Sequence, residues 1–382
     1  MIEESFPSPD SESLEVSRTL VERIRAEIEA GDGWLSFERF MQLALHEPGL
    51  GYYSAGAVKL GPAGDFTTAP ELSGCLAAAL APLIRSALGE IGSRRILELG
   101  AGSGKLAGQL MSHLDADGTT GIEYSILETS ADLRERQQTE LARWSGSTRW
   151  LDRVPAEPFA GIVLANEVVD ALPVARFEKT GDSVVPLGVT WQDDRLLLAP
   201  GPRDEVLSEA VARIERELGT TLPEGFRSEI CLMLGPWLEE ILGVIDAGGV
   251  LLIDYGMPRR DYYRPERADG TLMCHYRHRA HTDPLLWPGL QDITAWVDFT
   301  AVAHAARELG FSIAGFTTQA QFLVETISSD PALAAQIIAA DPAGAMRRLV
   351  LPGEMGERFK LIWLTKGAVS TGLPGRDFRD WL

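Results

Sequence analysis

Apolar positions recur along this chain with two spacings, and the change from one to the other marks out its parts. Val16, Leu20, Ile24 and Ile28, with Val21 beside them, keep a helical spacing that ends near Gly31. The same spacing predicts a second helix over Phe37–Leu45 and a third, richer in apolar residues, from about Leu72 to Leu88. Between them runs HEPGLGYYSAGAVKLGPAGDFTTAPELS, rich in glycine and proline and without periodicity. An irregular stretch of that length is either functional or disordered. Its two tyrosines and Phe66 argue for function. The first dozen residues are rich in Ser, Pro and Glu and are expected to be mobile.

From Ile96 onward short apolar runs alternate with helical stretches. Ile96–Leu99, Glu123–Leu127, Gly161–Ala165 and Gly249–Tyr255 read as strands, and Lys105–Leu114, Ala131–Trp144 and Asp204–Leu218 as helices. Such alternation predicts an α/β fold with a parallel sheet covered on both faces. Val184–Leu198 reads as a β insertion. A helix over Thr300–Leu309, the run FSIAGFTT, a helical region near Asp330–Leu349 and a final strand FKLIWLTKG complete the pattern.

Composition narrows the partners. With 382 residues the chain has material for one large domain with insertions or for two domains, and its 45% apolar and 24% charged residues suit a globular protein. A net charge of −20 repels phosphate backbones and anionic membrane surfaces, and attracts a basic partner such as an exposed arginine or lysine. Cys75, Cys231 and Cys274 form no CxxC pair, so no disulfide framework or zinc site is expected. The acidic N-terminus is unlike a secretory or transit segment, and no apolar run reaches the roughly 20 residues needed to span a bilayer. A cytoplasmic protein without membrane insertion is expected.

The chemistry centres on RRILELGAGSGKLAGQL, Arg94–Leu110, where a strand breaks into a Gly-rich turn and a helix. A P-loop needs GxxxxGK[ST], but Leu106 follows Lys105 and Leu99 stands at the first glycine position. The dinucleotide pattern GxGxxG/A is formally met by Gly102, Gly104 and Ala107. Glu98 argues against it, because a carboxylate at the strand end opposes a pyrophosphate and favours an ammonium. S-adenosyl-L-methionine carries an ammonium and no phosphate, and its carboxylate can take backbone N–H groups at the helix start. Glu98, Gly100, Ala101, Gly102 and Gly104 are therefore assigned to that cofactor. Glu128, at the end of the next strand, is assigned to its ribose, and Asn166, at the end of the third, to the same site. At Glu98–Gly104 the sequence resembles the glycine motif of class I methyltransferases.

GYYSAGAVKLGPAGDFTTAPELS, ANEVVDALPVARF, GGVLLIDYG, GTLMCHYRHRAHTDPLLWPGLQDITAWVDF and MGERFKLIWL stand in one order and resemble the MidA family over roughly residues 30–366. That family includes the mitochondrial complex I assembly factor that is a protein arginine methyltransferase. The resemblance implies a class I methyltransferase, Rossmann-like, with a mostly parallel seven-strand sheet, an N-terminal helical region and family-specific insertions. It divides the chain into a flexible segment (1–12), a helical region with a cofactor-covering loop (13–92), a core (93–366) and a tail (367–382). The core would carry an insertion at about 175–245 and a substrate or partner loop at about 258–298. It also implies methylation of an arginine on a protein partner, a respiratory complex I subunit among the candidates.

A guanidinium is a poor nucleophile, so such an enzyme needs carboxylates that grip it and align one nitrogen with the methyl group. Glu167 and Asp170 follow the third strand, at the edge where open α/β sheets bind ligands, and share a face if their segment is helical. Glu167 is taken as the main clamp and Asp170 as its helper; a plainer reading has Asp170 capping a helix and Glu167 in solvent. Asp65 in GDFTTAPE is a third candidate, on the loop expected to cover the cofactor, where Thr67 or Thr68 can cap the next helix. His275, His278 and His281 lie three apart near Asp283, a spacing that converges on neither a helix nor a strand, so no metal is expected. Tyr276, Arg277, His281, Gln291 and Asp292 are assigned to hydrogen bonds of a substrate- or partner-facing loop, with His281, Gln291 and Asp292 as substrate contacts. Asp254 is either a site carboxylate or a turn former. Two other readings stay open: a catalytically silent assembly chaperone on the same fold, and an NAD(P)-dependent oxidoreductase. Whether the protein forms a homodimer also stays open.

Overall fold

The computed structural model describes residues 6–54, 68–341 and 343–382. They fall into two compact units. One draws on Thr67–Val169, Leu234–Pro258 and Val297–Leu382, the other on Met1–Phe66, Asp170–Met233 and Arg259–Trp296.

The first unit is built on a sheet of β1 (Arg95–Leu99), β2 (Glu123–Leu127), β3 (Thr148–Leu151), β4 (Phe159–Asn166), β5 (Ile245–Met257), β6 (Ser312–Thr318) and β7 (Phe359–Lys366), in the order β3-β2-β1-β4-β5-β7-β6. Strands β3, β2, β1, β4 and β5 pair in parallel, and β7 runs antiparallel to both its neighbours. The two-residue strand Val297–Asp298 pairs with the end of β5. Strands β1, β4 and β5 are almost wholly buried, as their continuous apolar runs require of a sheet covered on both faces. Helix α1 (Cys75–Ile91) buries most of its length, and α2 (Lys105–Ala116) packs Leu106, Ala107, Leu110, Met111 and Leu114, a stripe at helical spacing. From β1 the chain winds outward through β2 to β3, then returns to β4 on the other side. The carboxyl ends of β1 and β4, paired at Leu99 and Ala165, thus form a topological switch point.

The second unit contains Ser11–Ala30, Phe37–His46 and Glu205–Leu218 as helices. Ala175–Thr180, Ser183–Gln192, Arg195–Pro200, Arg227–Ile230 and Leu35–Ser36 form an antiparallel sheet, and Met273–Tyr276, Arg279–His281 and Asp292–Thr294 a smaller one. Phe37, Phe40, Tyr52, Cys274 and Ile293 lie in its own core.

Several expectations change. The first helix begins inside the stretch expected to be mobile, because Asp10 caps it by accepting from Ser13 N–H at 2.8 Å. The β insertion is larger than Val184–Leu198. Residues 273–294, expected as a loop, carry three short strands, Met273–Tyr276, Arg279–His281 and Asp292–Thr294. Strand β3 and the helix Gln319–Ser329 were not anticipated. Among the described residues no helix is long and apolar enough to cross a membrane.

Candidate functional site

Gly100, Gly102 and Gly104 all take positive φ, at 58°, 55° and 85°. Two of them are also hemmed in. A Cβ on Gly104 would lie 3.2 Å from the Cα of Gln137, and one on Gly100 3.3 Å from a Val168 methyl. The turn is thus a left-handed backbone that only glycine adopts without strain. Gly100 N–H donates to the Leu127 carbonyl at 3.1 Å, tying the turn to the end of β2. Gly104 then caps α2 without a side-chain hydrogen bond, which leaves backbone amides of the first turn for an incoming acceptor. Ala101 is buried against the core.

Glu98 and Glu128, each near or just past the end of a strand, stand beside this turn. Glu98, near the end of β1, is 2% exposed, and Tyr124 Oη donates to its Oε2 at 2.8 Å. Burial pushes the Glu98 carboxyl up to about 7; the Tyr124 bond opposes this and the nearby charge of Glu128 adds to it. Glu128 follows β2. Its Oε1 accepts from Ser130 N–H and its Oε2 from Gln137 Nε2, both at 2.9 Å, and burial raises its pKa. Gln137 and its partner Trp150 were missed from sequence. The sequence carries no signal for Gln137, because the helix Ala131–Glu140 is polar along its length and the residue is buried only by the fold.

At the end of β4, Asn166 Nδ2 donates to Glu167 Oε1 at 3.2 Å, while Asn166 Oδ1 is buried without a partner. Glu167 adopts φ 55° and donates its N–H to the Ile253 carbonyl at 2.9 Å. Asp254 then captures the following backbone: its Oδ2 accepts from Val168 N–H at 3.2 Å and Val169 N–H at 2.9 Å, and its Oδ1 from Tyr255 N–H at 2.8 Å. Asp254 is therefore the turn former of the two roles considered. The helical face expected for Glu167 and Asp170 is corrected, since the chain bends and turns there.

Glu71 reaches the glycine turn from the preceding segment. One oxygen accepts from Ser103 Oγ and the other from Lys105 Nζ at 2.6 Å, while Gln109 Nε2 donates to the Pro70 carbonyl at 3.0 Å. The lysine that gave the turn its P-loop look is thus already paired. Thr68 precedes the short helix Ala69–Leu72 but caps it with no side-chain bond. Asp65 and Thr67 lie outside the described residues.

The remaining candidates belong to the second unit. Asp170 is buried, its carbonyl accepts from Ala295 N–H at 3.0 Å, and His46 donates to the next carbonyl, that of Ala171. Asp292 Oδ1 accepts from Tyr53 Oη at 2.8 Å, and Gln291 Nε2 donates to the carbonyls of Asp283 and Pro284. His281 Nδ1 accepts from Asp283 N–H at 3.3 Å, and its ring packs on Phe6. Gln291 and Asp292 are both buried, and each is hydrogen-bonded within its own unit. His275 and His281 lie on paired strands, and His278 in the tight turn that joins them. Among the described residues no group of three His, Cys, Asp or Glu side chains is placed to hold a metal ion.

This strand order, one reversed strand beside six of common direction, a glycine turn after β1 and an acid after β2 define a class I methyltransferase. The profile of a family described as "Putative S-adenosyl-L-methionine-dependent methyltransferase" matches residues 75–317. The zebrafish (Danio rerio) mitochondrial protein arginine methyltransferase NDUFAF7 is 29% identical over 91% of this chain and 87% of its own, and the human one 26% identical over 87% and 80%. A COG1565 superfamily member from Burkholderia thailandensis, solved with S-adenosyl-homocysteine bound, is 39% identical over 99% of this chain and all of its own, with a TM-score of 0.88. The chain belongs to the MidA-like family of S-adenosyl-L-methionine-dependent methyltransferases. Its cofactor is S-adenosyl-L-methionine, and the site fits that group: an open left-handed backbone, a buried carboxylate beneath it, and an unpartnered acceptor on Asn166.

Proposed function

We propose that this methyltransferase acts on an arginine side chain of a protein partner, with a respiratory complex I subunit as one candidate. The observation that carries the reading is Glu167, held left-handed directly after β4 by Ile253 and by the backbone turn that Asp254 fixes. A non-glycine residue in that conformation costs about 1–3 kcal/mol and persists where its surroundings over-determine it, commonly at a functional site. The names of relatives 26–29% identical and the net charge of −20, which suits a cationic acceptor, support the same reading.

The cofactor supplies a sulfonium methyl for transfer to nitrogen. Glu98 faces its ammonium, the turn of Gly100, Gly102 and Gly104 its carboxylate, and Glu128 its ribose hydroxyls. Glu167 grips the guanidinium and orients one nitrogen. The test is methyl transfer from labelled S-adenosyl-L-methionine into extract from a strain lacking the protein, with Glu167→Gln compared to the parent. Loss of labelling with cofactor binding retained supports the assignment. Labelling that persists in the variant removes it.

A further inference from the structure

Helix α3 (Ala131–Glu140) turns one buried side chain inward, and it is polar. The Gln137 carboxamide makes three hydrogen bonds, each 2.9 Å long: Nε2 donates to the Gly102 carbonyl and to Glu128 Oε2, and Oε1 accepts from Trp150 Nε1. An indole nitrogen only donates. Trp150 therefore decides which end of the amide is oxygen, and the NH₂ group is left to bridge the glycine turn and the carboxylate. The backbone of Gln137 also packs against Gly104. Ser130 N–H bonds Oε1 and Gln137 Nε2 bonds Oε2, the Thr129 N–H is also turned to the Glu128 carboxylate, and acceptor capacity remains on it.

We propose that Gln137 is a positioning residue. It fixes the Glu128 carboxylate so that its remaining lone pairs meet two neighbouring hydroxyls, and it ties that carboxylate to the turn that holds the other end of the cofactor. The inference rests on the reading that Glu128 takes the ribose hydroxyls. Packing alone does not require it, since a methionine would fill the same volume without bridging anything.

The probes are S-adenosyl-homocysteine and its 2′-deoxyribose analogue, titrated calorimetrically into the full-length protein. The parent protein is expected to prefer the ribose form by about tenfold or more, the worth of a hydrogen bond to a charged group. Gln137→Met should lose most of this preference, weakening the ribose form while changing the deoxy form much less. Trp150→Phe, which releases the amide, should lose part of it and serves alone if Gln137→Met fails to fold. An equal loss of affinity for both probes, with the preference intact, overturns the inference, because that is what a packing role produces. Glu128→Gln separates the two readings. If it leaves the preference unchanged, the ribose assignment falls and the inference with it; if it abolishes a preference that Gln137→Met and Trp150→Phe retain, only the inference falls.

Discussion

Tyr124 donates its phenolic hydrogen to Glu98 Oε2 at 2.8 Å, where neither side chain reaches solvent. Glu98 lies near the carboxyl end of β1, below the glycine turn, and Tyr124 reaches it from near the start of the neighbouring β2. Glu98 titrates at about 7 in the folded protein against an ordinary 4.5, chiefly because burial penalises its charge. The folded protein thus holds a proton that the unfolded chain has released, which adds stability at low pH that is lost as the pH rises through about 7. An ammonium held beside Glu98, as proposed for the cofactor, would favour the carboxylate and release that proton.

Binding at pH 6 should accordingly release close to one proton, and binding at pH 8.5 almost none. The binding enthalpy of S-adenosyl-homocysteine in buffers of different ionisation heat measures this directly. Glu98→Gln should abolish the release. Tyr124→Phe, which removes the bond that lowers the Glu98 pKa, should shift the release to higher pH. An enthalpy independent of buffer at pH 6 would place the ammonium elsewhere.

Gly104→Ala should be more damaging than Gly100→Ala. Both positions need a left-handed backbone, which costs an alanine about 1–2 kcal/mol. At Gly104 the new methyl also meets the backbone of Gln137, whereas at Gly100 it meets a side-chain methyl of Val168 that can give way. Urea unfolding should rank the two variants in that order, and cofactor affinity should follow. Equal effects would mean that the Gln137 backbone yields freely.

Asp254→Ala should act on the acceptor side of the chemistry more than on the cofactor. The carboxylate holds the Val168 and Val169 amides, and each hydrogen bond to a charged group is worth about 1.5–3 kcal/mol. Its loss frees the turn that presents Glu167. Expected are a lower unfolding midpoint and a fall in methyl transfer larger than the loss of cofactor affinity. A variant that loses both in equal measure would make Asp254 a general structural residue.

What could be read from sequence follows how far apart the cooperating residues lie. The strand, the turn of Gly100–Gly104 and Glu128 were legible because each belongs to a local strand–turn–helix pattern with its own apolar periodicity. Glu167 was legible as a strand-end carboxylate, but its helical setting was not, because the turn is made by Asp254, 85 and 86 residues further along. Gln137, Trp150 and Glu71 escaped for the same reason: their partners come together only once β2, β3 and α2 have packed. The hairpin over 273–281 was hidden by its turn, where Arg277 and His278 take the positive φ that asparagine or glycine usually announces. Strand β3, four residues with an arginine among them on the edge of the sheet, gives too short an apolar run to register.

The most direct test of arginine methylation is the chemical identity of the methylated residue. Extract from a strain lacking the protein is incubated with the purified protein and methyl-labelled S-adenosyl-L-methionine, hydrolysed to amino acids and separated. Label is expected in methylarginine, present with the parent protein and absent with Glu167→Gln. Label confined to any other amino acid or to a small molecule, or no transfer by a protein that binds the cofactor, would contradict it.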